Sequence, residues 1–124
     1  MNLENILITG SSGLVGAPLV TKLLNKSNLI VGIDPVINSE CNENYKHISI
    51  PLNSVEDVTN LLEKYDITKI IHTGGISGPM LANENPNIII ENNIFFTMYL
   101  IEAARIYKKI NRFIFCSSIS AYGE

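Results

Sequence analysis

Residues 9–16 read TGSSGLVG, directly after the apolar run Ile6-Leu7-Ile8 and directly before a stretch with helical periodicity. A strand, a glycine-punctuated turn and a helix in that order make a site for a pyrophosphate. Gly10 permits the tight turn, Gly13 brings the backbone to the diphosphate with no Cβ in the way, and Gly16 lets helix and strand pack closely. Free N–H groups at the helix start face the anion. Glycines at this spacing also punctuate ordinary turns, so the assignment depends on its context.

Three later features supply that context. Leu29-Ile30-Val31-Gly32-Ile33 runs into Asp34, 24 positions after Gly10. A carboxylate at that strand end accepts hydrogen bonds from the adenosine ribose hydroxyls and repels the extra phosphate of NADP. No Arg or Lys lies between Lys26 and Lys46 to neutralise such a phosphate, so NAD is expected over NADP. The plainer reading of Asp34 is a cap on the turn into Pro35. Second, Ile70-Ile71-His72-Thr73-Gly74-Gly75 is an apolar strand ending in paired glycines, which leave room for a nucleotide at the carboxyl edge of a sheet. His72 lies within that strand with no carboxylate or Cys nearby in sequence, and reads as a satisfied structural residue. Third, Phe113-Ile114-Phe115-Cys116 runs into Ser117 and Ser118, hydroxyls suited either to bond a reacting oxygen or to cap the strand end.

The elements that must position these groups alternate. Apolar runs expected as strands fall at Asn5 to Thr9, Leu29 to Asp34, Lys46 to Ile50, Lys69 to Thr73 and Arg112 to Ser117. Helical patterns fall at Leu14 to Asn25, Val55 to Tyr65 and Asn87 to Lys108. That succession predicts βαβ units and a mostly parallel sheet. At 124 residues, 46% hydrophobic and 17% charged, the chain suits one core, with no internal repeat or interdomain linker. A net charge of -3 and scattered Lys and Arg argue against nucleic acid as a partner. Cys41 and Cys116 have no metal-ligand spacing, so no metal is expected. They read as free thiols, with Cys116 buried in its strand. The sequence has no signal-like N-terminus and no span-length apolar run, so no membrane association is expected and cytoplasm is the default location.

In the order TGSSGLVG, Asp34, HTGG, NNIFFT at 92–97 and SSISAYG, the motifs resemble the extended short-chain dehydrogenase/reductases, the NAD-dependent epimerase/dehydratase family. The resemblance covers essentially the whole chain. It implies a Rossmann-like parallel sheet of about five strands with flanking helices, truncated after strand five. Residues 1–124 would then be an NAD-binding domain lacking its catalytic and substrate-binding C-terminal part. It implies Gly10, Gly13, Leu14, Val15 and Gly16 along the pyrophosphate, Asp34 at the ribose, Gly74 and Gly75 on the way to the nicotinamide, and Asn93 bracing the site from its helix. The catalytic hydroxyl, five residues before the glycine of the final YG, would be Ser118, with Ser120 as the register alternative.

The match departs from the family pattern in three places. Pro51-Leu52 replaces an Asp-apolar pair, which leaves Leu52 to touch the adenine without a carboxylate beside it. Phe96 replaces a glycine before Thr97. The family's catalytic Tyr and Lys, four residues apart, would fall beyond Glu124; the formal match Tyr65 to Lys69 straddles a helix end and a strand start and is rejected. The resemblance therefore implies hydride-transfer chemistry on a sugar or nucleotide sugar for a full-length relative, a long apolar helix that lacks half of the helix pairing the family makes across its dimer, and negligible turnover from this chain alone. A full-length relative is expected to be a homodimer, and this chain to self-associate through Asn87 to Lys108. The alternatives are a non-catalytic NAD(H)-binding module and a protein-interaction module.

Overall fold

The computed structural model describes residues 3–38, 42–77 and 84–123. Five strands, β1 (Asn5–Thr9), β2 (Leu29–Ile33), β3 (Tyr45–Ile48), β4 (Lys69–His72) and β5 (Arg112–Phe115), form one sheet in the order β3-β2-β1-β4-β5. Every pairing is parallel. This is the Rossmann-like architecture expected from the sequence, with the strand order reversing between β1 and β4. The register sets Thr9 opposite both Ile33 and His72, so the turn after β1 emerges between the ends of β2 and β4.

Alternation along β1 explains the two-sided core. Ile6 and Ile8 point to one face, with Val20, Leu24, Ile30 and Tyr45. Leu7 points to the other, with Val31, Ile33, Val58, Leu62, Ile70 and Leu100. A parallel sheet covered on both faces needs continuous apolar strands, which is what the sequence shows. α1 (Gly16–Leu23) covers the first face; α2 (Val55–Lys64) and α4 (Phe96–Tyr107) cover the second. The Ser54 hydroxyl caps α2, accepting the Asp57 N–H at 3.0 Å, while the Asp57 carboxylate accepts the Asn53 N–H.

Several expectations need correction. The first helix starts at Gly16 rather than Leu14, because Gly13 and Leu14 remain in the turn, and after Leu23 it tightens into a 3-10 turn at Leu24–Lys26. β3 is displaced toward the N-terminus, at Tyr45–Ile48. The long helical stretch is not uniform: α3 (Pro86–Ile89) passes through a π-helical segment, Ile90–Phe95, into α4. It ends at Lys108, whose φ of 63° is left-handed. Cys116 is exposed, not buried, since β5 is flanked only by β4 among the described residues. Cys41 lies outside the described residues. As the apolar composition of the long helix foreshadowed, Ile90, Ile94, Met98 and Ile101 stand exposed along one side of it. No helix among the described residues is long and apolar enough to cross a membrane.

Candidate functional site

The carboxyl ends of β1, β2 and β4 open into a cleft of about 1150 Å3. Its floor is the glycine turn. Gly10 has φ +67°, and its N–H donates to Ile33 O at 2.7 Å, which binds the turn to the end of β2. A Cβ at Gly10 would lie 2.7 Å from Gly74 Cα, so the two glycine segments touch backbone to backbone. The Gly13 N–H donates to Gly10 O at 3.0 Å, and Gly16 packs so closely on Gly10 O that no side chain fits between them. No side chain caps the start of α1 at Val15. In the first turn of α1 the Ala17 N–H donates to Gly13 O, the Leu19 N–H donates to Val15 O and Pro18 has no N–H, which leaves the amides of Leu14, Val15 and Gly16 at the cleft, where Leu14 is 95% exposed.

Asp34 lines the cleft at the end of β2. One carboxylate oxygen accepts the Ser12 N–H at 3.1 Å and the other accepts the Val36 N–H at 2.9 Å. The turn-capping reading of Asp34 is thus realised, and each oxygen keeps acceptor capacity for a further donor. Behind it stands a polar group that the sequence reading missed. His47 donates from Nε2 to Asp34 O at 3.0 Å, its Nδ1 lies 3.0 Å from the Tyr45 hydroxyl, and that hydroxyl donates to buried Ser11 at 3.2 Å. Gly32 is required here, because any Cβ would run into Tyr45 and Ser11. The signal available in sequence was Tyr45-Lys46-His47, whose alternation sends the two rings to one side of a strand.

On the far wall, Thr73, Gly74 and Gly75 line the cleft with Leu52, Phe95, Phe96 and Tyr99. Asn93 does not line it, but its Oδ1 accepts the Ile76 N–H at 2.7 Å and its Nδ2 donates to Ile76 O at 2.8 Å. This two-point grip on a wall residue issues from the π-helical segment, a feature frequent at functional sites. Phe96 turns its ring edge to His72 at 5.8 Å while also lining the cleft. His72 is buried with both ring nitrogens in hydrogen bonds, to Thr9 at 2.6 Å and Thr97 at 2.8 Å, as the structural reading of this residue requires. Desolvation pushes its pKa below the ordinary histidine range.

Ser118 stands apart from these groups. It is exposed, lies outside the cleft lining, and its Oγ accepts the Ser120 N–H at 3.2 Å at the start of the 3-10 turn Ile119–Tyr122. Tyr65 closes α2 and Lys69 opens β4, so the formal Tyr-to-Lys spacing shares no helical face.

Asp34 and Glu91 are the charged side chains among the described residues lining the cleft. An anion over the glycine turn would therefore be held by backbone N–H groups rather than by cations. The glycine cradle, the uncapped helix start and the acceptor at the end of β2 suit a dinucleotide. A sequence profile of the NAD dependent epimerase/dehydratase family matches residues 6–124. The chain belongs to that family. It is 32% identical to an uncharacterized protein of Methanocaldococcus jannaschii, over 99% of this chain and 42% of that one. It is 27% identical to a UDP-glucose 4-epimerase of Pisum sativum, over 98% of this chain and 38% of that one. Among solved structures, MoeE5 in complex with UDP-glucose and NAD superposes with a TM-score of 0.76 at 25% identity, covering 96% of this chain and 38% of that one. The chain thus spans about two fifths of the length of these relatives.

Proposed function

We propose that the cleft binds NAD and that this chain is the cofactor-binding N-terminal portion of an epimerase, dehydratase or dehydrogenase acting on a sugar or nucleotide sugar. The observation that carries the reading is the contact of the Gly10 turn with Gly74 at the point where strand order reverses, with Asp34 alongside. Gly10, Gly13, Leu14, Val15 and Gly16 would hold the pyrophosphate, Asp34 the adenosine ribose, Leu52 the adenine, and Gly74 and Gly75 the approach to the nicotinamide. NAD is favoured over NADP because the ribose end presents the Asp34 carboxylate, and the described cleft lining holds no Lys or Arg.

When bound, NAD supplies the acceptor for a hydride from a substrate alcohol carbon. The chain's own residues bind, orient and keep the pyrophosphate neutralised by amide dipoles. The Ser118 hydroxyl is the group in this chain that would bond the reacting oxygen, after release from Ser120 N. Among the described residues no basic side chain hydrogen-bonds to it, and loss of a positioned base costs about a hundred- to ten-thousand-fold in rate. Turnover by this chain alone is therefore expected to be negligible, and the reducing cytoplasm remains the expected setting. A second reading, a protein-interaction module, is favoured by the exposed Ile90, Ile94, Met98 and Ile101.

Titration of NAD and NADP into the purified chain by calorimetry, with Asp34→Asn alongside, tests the proposal. NAD should bind more tightly than NADP, and the substitution should narrow that difference. Binding of neither dinucleotide, with a stable complex to another protein, would replace the cofactor reading with the interaction reading.

A further inference from the structure

The hydrogen bonds around His72 permit a single proton arrangement. The Thr97 hydroxyl donates to Asn93 O at 2.7 Å, so toward His72 Nε2, 2.8 Å away, it acts as acceptor. His72 Nε2 therefore carries the ring proton, and Nδ1 is left as an acceptor. On the other side the Gly74 N–H donates to Thr9 Oγ1 at 3.0 Å, and the Thr9 hydroxyl spends its own proton on His72 Nδ1 at 2.6 Å. The chain of donors thus runs without a break from Gly74 N–H through Thr9, His72 and Thr97 to Asn93 O. One end lies in the far wall of the cleft, where Gly74 packs on Gly10; the other lies behind that wall, where Asn93 grips the backbone of Ile76. Around the ring are Phe115 of β5, stacked at 5.3 Å, and Phe96 of α4, edge-on. None of these neighbours carries a charge that could stabilise a second ring proton.

We propose that His72, neutral and protonated on Nε2, is a positioning residue of the cofactor cleft, fixing the spacing between the far wall at Gly74 and the helical segment that carries Asn93. It touches no ligand; it acts through Thr9 and Thr97. A neutral ring bridging two hydroxyls has a direction, and reversing that direction would leave two acceptors facing each other on the Thr97 side and two donors on the Thr9 side. The inference deepens the dinucleotide reading above and rests on it for the identity of the ligand.

The test uses the full 124-residue chain, uniformly labelled with 15N. Two-bond proton–nitrogen correlation spectra of the unliganded protein should give His72 Nδ1 the shift of an unprotonated nitrogen and Nε2 that of a protonated one. The opposite tautomer, or a doubly protonated ring at neutral pH, overturns the proposal without reference to any ligand. Thr97→Val removes the acceptor of Nε2–H and should shift both ring nitrogens and the Ile76 amide; Thr97→Ser keeps the hydroxyl and should restore all three signals. NAD affinity should fall about tenfold in Thr97→Val, equivalent to about 1.4 kcal/mol, and recover in Thr97→Ser. An unmoved Ile76 amide, or wild-type affinity in Thr97→Val, refutes the positioning role. If the unaltered chain binds no NAD, the cofactor reading fails, and the ring and Ile76 signals still decide whether His72 sets that spacing.

Discussion

Gly10→Ala is the substitution whose cost is most directly worked from the structure. The residue sits at φ +67°, a region in which an L side chain costs about 1–2 kcal/mol. The new methyl would lie 2.7 Å from Gly74 Cα, 2.8 Å from Gly74 N and 3.0 Å from Thr73 C, all backbone atoms. Those atoms have little freedom to retreat, because Thr73 Oγ1 donates to Thr9 O at 2.7 Å and Gly74 N–H donates to Thr9 Oγ1. Overpacking of this kind costs about 1–3 kcal/mol, bringing the expected total to roughly 2–5 kcal/mol. Against the roughly 5–15 kcal/mol available to a domain, that is a fall in Tm on the order of 10–20 °C. Gly123→Ala is the control: φ is +72°, but nothing lies within 4 Å of the added Cβ, so only the conformational strain remains. Thermal and urea unfolding of both variants, with NAD titration of the folded protein, gives the comparison. Equal losses in the two variants, or an unchanged Tm and NAD affinity in Gly10→Ala, would refute the claim that the two walls meet here without spare room.

Ser54→Ala should destabilise the chain by about 1 kcal/mol, read by urea unfolding, because it removes the acceptor for the Asp57 N–H at the start of α2. Stability should also depend on pH through His72. Its folded-state pKa is lowered by desolvation, so the unfolded chain binds the extra proton first. The stabilisation is present above the ordinary histidine value of 6.5 and is lost as pH falls through the folded value, with a slope of at most about 1.4 kcal/mol per pH unit. The acid limb of a His72→Asn stability profile should lack that contribution; identical limbs would show that His72 does not titrate between the two states. Ile94→Glu with Met98→Glu should lower the mass seen by light scattering at high concentration, since both side chains lie more than half exposed on one side of the long helix. A mass that does not change on substitution would exclude that face as the route of self-association.

The parallel sheet was legible because burial on both faces writes itself as unbroken apolar runs, and β1 and the start of β2 fall where those runs predict. The glycine turn was legible because only glycine tolerates both its φ and its close contacts. What the sequence concealed is pairing between distant residues. Nothing local in NNIFFT announces that Asn93 reaches Ile76, since the two residues are 17 positions apart and meet only in the folded chain. The alternation in Tyr45-Lys46-His47 puts both rings on one side of a strand, but that His47 meets Asp34 is set only by β2 and β3 lying side by side. Cys116 misled because an apolar neighbourhood predicts burial only where something covers the strand, and β5 has a neighbour on one side only among the described residues.

The groups proposed for binding and for chemistry lie apart in this chain. The cleft draws its walls from the ends of β1, β2 and β4 and from the π-helical segment, and it is shaped by the bonds of Asp34 to Ser12 and Val36 and of Asn93 to Ile76. Ser118 follows β5, outside that lining, and its hydroxyl is engaged by its own turn. Replacing Ser118 with Ala should therefore leave NAD affinity within about twofold, because it removes one exposed cap worth under about 1 kcal/mol and no bond that shapes the cleft. Asp34→Asn should weaken NAD binding while leaving the capping bond to an amide N–H available to its carbonyl oxygen. If Ser118→Ala weakened NAD as much as Asp34→Asn, the hydroxyl would have to reach the cofactor. The 3-10 turn at Ile119–Tyr122 would then have to rearrange on binding, and the separation of binding from chemistry would be lost.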